Sequence, residues 1–289
     1  MAIVGKPNVG KSTLLNALIG AKVSIVSDKP QTTRNRIAAI ANLPGAQIVF
    51  LDTPGIHKPR HGLGERMISA AKVAMQEVDL ILFVADASTP VTAADRAVIG
   101  MLEGLQTPLW LVLNKIDAVA AERVEAIQTE LESLGTYQLV RRVSATNGQN
   151  MEGFAQDIAD VMPEGPMYYP LDTVIDRPEE FIVSELVREK LLLLTREEIP
   201  HSVAVVVDRM VSRDDRDIVD IDASILVERD SQKGIVIGAG GRVLREVGTL
   251  ARTDIEHLLG SQVNLQLWVK VRRRWRDDES MLNRLGYRE

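Results

Sequence analysis

The chain contains no cysteine among its 289 residues, which excludes disulfides and thiolate-held metals. Its four histidines do not make up for that lack. His57 and His61 flank Pro59 and precede Gly62 in what reads as a loop, and His201 and His257 stand alone, so no histidine metal centre is expected. Long apolar runs are missing too. No stretch approaches the roughly 18 consecutive apolar residues of a spanning helix, and no charged-then-apolar leader precedes Gly5. Neither a membrane span nor a secretory signal is expected; the expected location is cytoplasmic, with peripheral membrane association left open. The chain also lacks an overall basic charge: 34 basic residues face 40 acidic ones, for a net charge of −6. Any attraction to nucleic acid must therefore be local.

What is present is the composition of a globular protein, 45% hydrophobic and 26% charged. At about 100 to 200 residues per domain, the length predicts two. Pro163-Glu164-Gly165-Pro166, followed by Pro170, reads as a linker and places the boundary there, giving residues 1–165 and 166–289.

The most informative segment is Gly5-Lys6-Pro7-Asn8-Val9-Gly10-Lys11-Ser12. It fits the phosphate-binding P-loop. Glycines let backbone amides turn toward phosphate oxygens, Lys11 supplies a cation, and Ser12 offers a hydroxyl to magnesium. Its context agrees: Ala2-Ile3-Val4 reads as a buried strand, and Ser12-Thr13-Leu14-Leu15-Asn16-Ala17-Leu18-Ile19 as a helix stopped by Gly20. Only four residues precede Gly5, so the leading strand is expected to be short or truncated relative to the usual five or six.

Three further signatures follow in order. Asp52-Thr53-Pro54-Gly55 ends the apolar run Ile48 to Leu51, where the acid can hold magnesium through water and Gly55 can offer an amide to a γ-phosphate. Asn114-Lys115-Ile116-Asp117 ends the run Leu109 to Leu113, and Asp117 can accept two hydrogen bonds from guanine, which adenine cannot supply. Ser144-Ala145-Thr146, after Leu139 to Val143, presents backbone to the guanine carbonyl. The intervals of 40, 62 and 30 positions from Ser12 to Asp52, Asn114 and Ser144 fit one domain. The expected ligands are GTP and GDP. Apolar strand candidates alternating with helical segments, such as Ala120 to Leu134, predict an α/β fold with a mostly parallel sheet.

Beyond the linker the texture changes to a helix from Glu179 to Thr195, strands from His201 to Met210 and Ile218 to Val227, the glycine loop Gly238-Ala239-Gly240-Gly241, a helix ending near Gly260, and a strand from Val263 to Val271. This order suits an α+β KH-type RNA-binding domain, whose GxxG loop lets a nucleic-acid backbone pass close by. From Lys233 to Arg274, eight basic residues face three acidic ones, a local charge of +5. Lys233, Arg242, Arg272, Arg273 and Arg274 are the candidate phosphate contacts. Trp268 and Trp275 are candidates for base stacking, although packing into the domain is the expectation for Trp268 at least.

These motifs, together with Gln31-Thr32-Thr33-Arg34 and Val236-Ile237-Gly238-Ala239-Gly240-Gly241, resemble those of the translation-associated small GTPases, and most closely the Era family of ribosome-assembly GTPases. The resemblance covers nearly the whole chain. It implies a P-loop GTPase followed by a type II KH domain, and small-subunit (16S-type) ribosomal RNA near its 3′ end and the 30S subunit as partners. It also implies that a threonine of the Gln31-to-Arg34 segment closes onto magnesium, Thr33 before Thr32. Ala239 departs from the lysine often found in this loop. Ile56 stands where many small GTPases carry a water-orienting glutamine, so Lys11, Thr33, Gly55 and Asn8 are the expected catalytic set; likeness to other Asn-bearing P-loops implies a potassium ion held by Asn8. The alternative is a nucleotide-gated RNA-binding scaffold with incidental hydrolysis.

Overall fold

The computed structural model describes residues 1–27, 29, 32–56 and 61–287. Gln31 and His57, both named above, lie outside the described residues.

The amino-terminal unit comprises β1 (Ala2–Val4), α1 (Lys11–Ile19), β2 (Ile37–Leu43), β3 (Ala46–Asp52), α2 (Gly62–Gln76), β4 (Ile81–Asp86), α3 (Ala93–Leu102), β5 (Leu109–Asn114), α4 (Ala121–Glu132), β6 (Leu139–Arg142) and α5 (Phe154–Ala159). The sheet order is β2-β3-β1-β4-β5-β6. Only the β2–β3 pair is antiparallel. Residues of β4 are buried on both faces, as a continuous apolar run in a helix-covered parallel sheet requires. One face packs Leu14, Phe50, Leu82, Val84 and Phe154; the other packs Val4, Ala71, Phe83, Leu111 and Ile127. Register matters more here than length: Ile3 pairs with Asp52 and Asp86 with Asn114. Asp86 and Asn114 therefore come level with each other, while Asp52 ends β3 level with Ile3 and Leu82, four residues short of Asp86; all three close the carboxyl ends of their strands, where ligands of open α/β sheets bind.

A segment without helix runs from residue 160 to 178 along the edge strand β2. Ile40 donates its amide to the Val174 carbonyl at 2.8 Å, and the Asp176 amide donates to Ala38 at 2.9 Å.

The carboxy-terminal unit comprises α6 (Glu179–Leu194), α7 (Ile199–Ser202), β7 (Ala204–Ser212), β8 (Ile218–Val227), α8 (Asp230–Ile237), α9 (Arg242–Leu259), β9 (Gln262–Val271) and α10 (Glu279–Arg284). β7 is antiparallel to the central β8, and β9 is parallel to it. A parallel neighbour demands a crossover, supplied by α8, the glycine loop and α9. Val247, Ala251 and Ile255, spaced one helical turn apart, bury α9 against this sheet alongside Val183, Val187 and Leu191 of α6. This is the type II KH arrangement.

Four readings need correction. The antiparallel edge strand β2 was not anticipated. Neither was α8, which precedes the glycine loop. His201 belongs to the short helix α7, with Pro200 in its first turn, and the strand begins at Ala204. The tryptophans are reversed: Trp268 is 53% exposed, whereas Trp275 is fully buried. Trp275 packs with Leu63 and Met67 of the first unit and Ala204, Leu226 and Leu282 of the second, and its Nε1 donates to the Ser202 carbonyl at 2.9 Å. Among the described residues, no helix is long and apolar enough to cross a membrane.

Candidate nucleotide and RNA sites

Between β1 and α1 the backbone needs conformations closed to most side chains. Gly10 has φ 95°, and a Cβ there would stand 2.2 Å from Asn114 Nδ2. The loop curls around Lys11, which is buried and whose ammonium donates, among the described residues, to the Gly5 and Lys6 carbonyls, at 3.2 and 3.0 Å. Burial lowers its pKa to about 8, against a partial upward pull from Asp52. A buried cation held by two carbonyls is suited to receive an anion. Pro7, Asn8, Gly10, Ser12, Thr13, Thr33 and Gly55 line the cavity beside it. Gly55 approaches so closely that a Cβ would lie 2.9 Å from Pro7. Thr53 is buried and donates to the Ile3 carbonyl at 2.7 Å, joining β3 to β1.

Asp52 supplies the opposite charge. Its carboxylate is fully buried, and Oδ2 accepts from Ser12 and Ser24 hydroxyls at 2.9 Å each and from Thr33 at 3.4 Å. Ser12 Oγ and Thr33 Oγ1 are themselves 2.9 Å apart. Burial raises the Asp52 pKa, opposed by Lys11 and these hydroxyls. Oδ1 has no hydrogen-bond partner among the described residues. A buried carboxylate oxygen without a partner, beside two converging hydroxyls, fits a hard divalent cation such as magnesium. Thr33, not Thr32, is the threonine brought to this point; the Thr32 hydroxyl donates instead to Lys29 at 2.7 Å.

The base-side loops are fastened to the P-loop. Asn114 donates to the Val9 carbonyl at 2.9 Å and accepts from the Ala145 amide at 3.0 Å. Lys115 donates to the Asn8 carbonyl at 2.7 Å and to Asp86 at 2.6 Å. Burial pushes the Asp86 carboxyl up, but its bonds from Lys115 and Ser88 leave it below the ordinary carboxylate range. Asp117 is exposed and accepts from Asn147 Nδ2 at 3.0 Å. Ser144 is buried with Ala145, and Thr146 is exposed. Ile56 lies in the apolar core, so it presents nothing to orient water.

Sequence reasoning overlooked Ser24, Asn16, Asp86 and Asn147. Asn16 accepts the Val23 and Ser24 amides at 3.0 and 2.9 Å and so sets Ser24 against Asp52. Its position four residues after Ser12, on one face of α1, was the available signal.

The glycine loop has Gly238, Gly240 and Gly241 at positive φ, and a Cβ on Gly238 would meet Val243 Cγ2 at 2.6 Å. Ala239 and Gly240 are exposed at its tip, Arg242 is exposed at the start of α9, and Lys233 is half-buried on α8. Gly241, Leu244, Arg245, Gly248, Thr249 and Arg252 line a groove floored by Leu265 and Leu267 of β9. Arg272, Arg273 and Arg274 are exposed just beyond β9, where the Arg272 amide donates to Val227 at 2.7 Å, at the sheet end from which the chain enters α8.

Residues 1–115 match a family described as 50S ribosome-binding GTPase, and residues 198–276 match the KH domain. Two solved structures align with the whole chain: an Aquifex aeolicus Era variant bound to GDP and aluminium tetrafluoride, and an Era in complex with MgGDPNP and nucleotides 1506–1542 of 16S ribosomal RNA. Each is 40% identical, at a TM-score of 0.95, over 100% of this chain and 98% of the other.

Proposed function

The chain belongs to the Era family of GTPases, and from that membership we propose a GTP-hydrolysing switch that binds small-subunit ribosomal RNA near its 3′ end and assists 30S assembly in the cytoplasm. The full-length likeness to an Era holding both a GTP analogue and 16S RNA carries this reading; it favours the small subunit over the large one named for the GTPase match alone. The GTPase domain takes residues 1–165 and the KH domain 166–289, with the boundary in the helix-free segment along β2.

In this reading Gly5, Asn8, Val9, Gly10, Lys11, Ser12 and Thr13 cradle the phosphates, which stabilise the Lys11 ammonium against its burial. Ser12 and Thr33 hold magnesium directly and Asp52 through water; when bound, the ion neutralises charge on the β- and γ-phosphates. Gly55 offers its amide to the γ-phosphate, with Thr53 and Pro54 fixing its approach. Asn114, Lys115, Asp117, Ser144, Ala145 and Thr146 form the guanine pocket. Since Ile56 cannot polarise water, charge developing at the leaving oxygen is met by Lys11; Asn8 would hold a potassium ion, which when bound would supply further positive charge there. In the KH domain, Gly238, Ala239, Gly240 and Gly241 clamp the RNA backbone, while Lys233, Arg242, Arg272, Arg273 and Arg274 contact phosphates.

The test is GTP turnover with and without small subunits, alongside titration of an RNA matching the 16S 3′ end. Stimulated turnover together with RNA binding supports an assembly enzyme. RNA affinity that changes with nucleotide while turnover stays flat supports the scaffold alternative instead.

A further inference from the structure

Thr33 is gripped from both sides by the carboxy-terminal unit. On its amino side, Arg188 of α6 donates from Nη2 to the Thr32 carbonyl. The same guanidinium pairs with Glu185 through Nη2 and through Nε, the latter at 2.7 Å. On the carboxyl side, Arg34 donates to the Val203 and Pro200 carbonyls at 2.6 and 2.9 Å and faces the Trp275 ring at 5.8 Å. Upstream, the Val26 amide donates to Glu189 at 3.0 Å. Arg188 and Arg34 are 1% and 2% exposed. Burying a guanidinium is costly unless its donors are used. Here Arg188 reaches the backbone just before the threonine that faces Ser12 and Asp52, and Arg34, just after it, is itself held by carbonyls of the carboxy-terminal unit; Arg188 Nη1 and Arg34 Nε find no partner among the described residues.

We propose that Arg188 is a positioning residue for GTP hydrolysis: by fixing the Thr32 carbonyl it presets the Thr33 hydroxyl, so that γ-phosphate and magnesium meet a threonine already in place. This rests on the GTPase reading above. A P-loop domain alone would have to order this segment with the energy of the γ-phosphate contact. In this chain the KH domain carries part of that ordering, which lowers the conformational cost of binding GTP but not of binding GDP. The contacts continue outward: Lys190, two residues on, bridges Glu189 at 2.8 Å and Asp254 of α9 at 2.6 Å. α9 also lines the groove behind the glycine loop. By linkage, a GTP analogue that holds Thr33 also biases α6 and α9, and RNA on α9 biases Thr33.

The experiment uses the full chain in two variants. Arg188→Met with Glu185→Gln removes both charges and strands neither. Arg188→Lys keeps a cation for Glu185 but loses the planar fork that reaches two acceptors at once. Affinities for GDP and for the non-hydrolysable analogue GDPNP are measured across a magnesium series, with hydrogen exchange of the 32–36 amides and steady-state turnover. The expected result is GDP affinity within about twofold of the parent, with GDPNP affinity about tenfold weaker and half-saturating magnesium about tenfold higher. Exchange over 32–36 rises in the GDPNP complex, kcat falls, and Arg188→Lys lies between parent and double variant. Parental GDPNP affinity and magnesium requirement overturn the proposal; so does an equal loss of GDP and GDPNP, which marks a packing role. If the double variant loses the parental circular dichroism, Arg188→Lys decides on the same criteria. A parent that does not hydrolyse GTP sinks the GTPase reading itself, whereas an active parent with unaltered variants sinks only this inference.

Discussion

Gly10 lies directly under the Asn114 side chain: a Cβ on the glycine would stand 2.2 Å from Asn114 Nδ2, which donates to the neighbouring Val9 carbonyl. The P-loop and the end of β5 are thus joined by direct contact. Gly10→Ala must displace Asn114 and also strain a backbone at φ 95°, at a cost of order 1–3 kcal/mol. GTP affinity should fall about tenfold or more, 1.4 kcal/mol per decade, with a lower melting temperature. A folded variant with parental affinity in a calorimetric titration would break the link between the P-loop and β5.

Asp117 is exposed just beyond β5 and accepts a hydrogen bond from Asn147. Asp117→Asn should weaken GTP binding about a hundredfold or more, because guanine's two donors lose their shared carboxylate. Xanthine nucleotide, which offers a carbonyl in place of the amine, should become the better ligand. Competition between the two nucleotides measures the switch, and an unchanged preference removes Asp117 from the pocket.

Lys11 gives a pH dependence with a definite sign. Burial holds its pKa near 8 in the free protein, so at pH 8 about half of the molecules carry a neutral amine. Phosphates restore the charge. Nucleotide binding should therefore take up about half a proton at pH 8, and affinity should decline as pH rises from 8 toward 10. Calorimetry in buffers of differing ionisation enthalpy reads the uptake directly. It should vanish in Lys11→Met, and its absence in the parent would contradict the buried-amine account.

How much of this was legible in the chain depends on how local the signal was. That the segments at Gly5, Asp52 and Asn114 converge was readable because strand, turn and helix signals coincide within a few residues of each, and parallel register does the rest. β2 escaped because Ile37-Ala38-Ala39-Ile40-Ala41 lacks clear alternation. α8 escaped because it is only eight residues long and contains Gly234. The burial of Trp275 and the grip of Arg188 on Thr32 depend on side chains from the other unit, roughly 150 to 210 positions away, and no local pattern encodes them. Trp268 was misread for the opposite reason: β9 alternates as a half-buried strand should, but its outer face is left to solvent.

Asn8 bears on the potassium proposal. It sits at φ 66° with its carbonyl held by Lys115, so replacement by alanine alters backbone preference as well as removing the amide. The informative quantity is therefore the ratio of turnover in potassium to turnover in sodium, not turnover itself. That ratio should exceed one in the parent and fall to one in Asn8→Ala. Equal turnover in both salts by the parent would discard the ion.

The RNA clamp can be tested apart from the hydrolase because its tip is open. Ala239 and Gly240 are exposed, and a Cβ on Gly240 meets no atom within 4 Å. Aspartate is among the few side chains that tolerate the left-handed backbone at φ 59° there. Ala239→Asp with Gly240→Asp should therefore leave the domain folded while placing two carboxylates where RNA phosphates would pass. Affinity for an RNA matching the 16S 3′ end should drop at least about tenfold, and its decline should steepen at low salt, where repulsion is least screened. GTP affinity should stay at the parental value, because the described residues that line the cavity beside Lys11 all come from the other unit. Circular dichroism and thermal melting accompany the titration, since an unfolded domain would also lose RNA. A folded double variant that binds this RNA with parental affinity would refute the clamp and transfer the role to the basic surface at Arg272, Arg273 and Arg274.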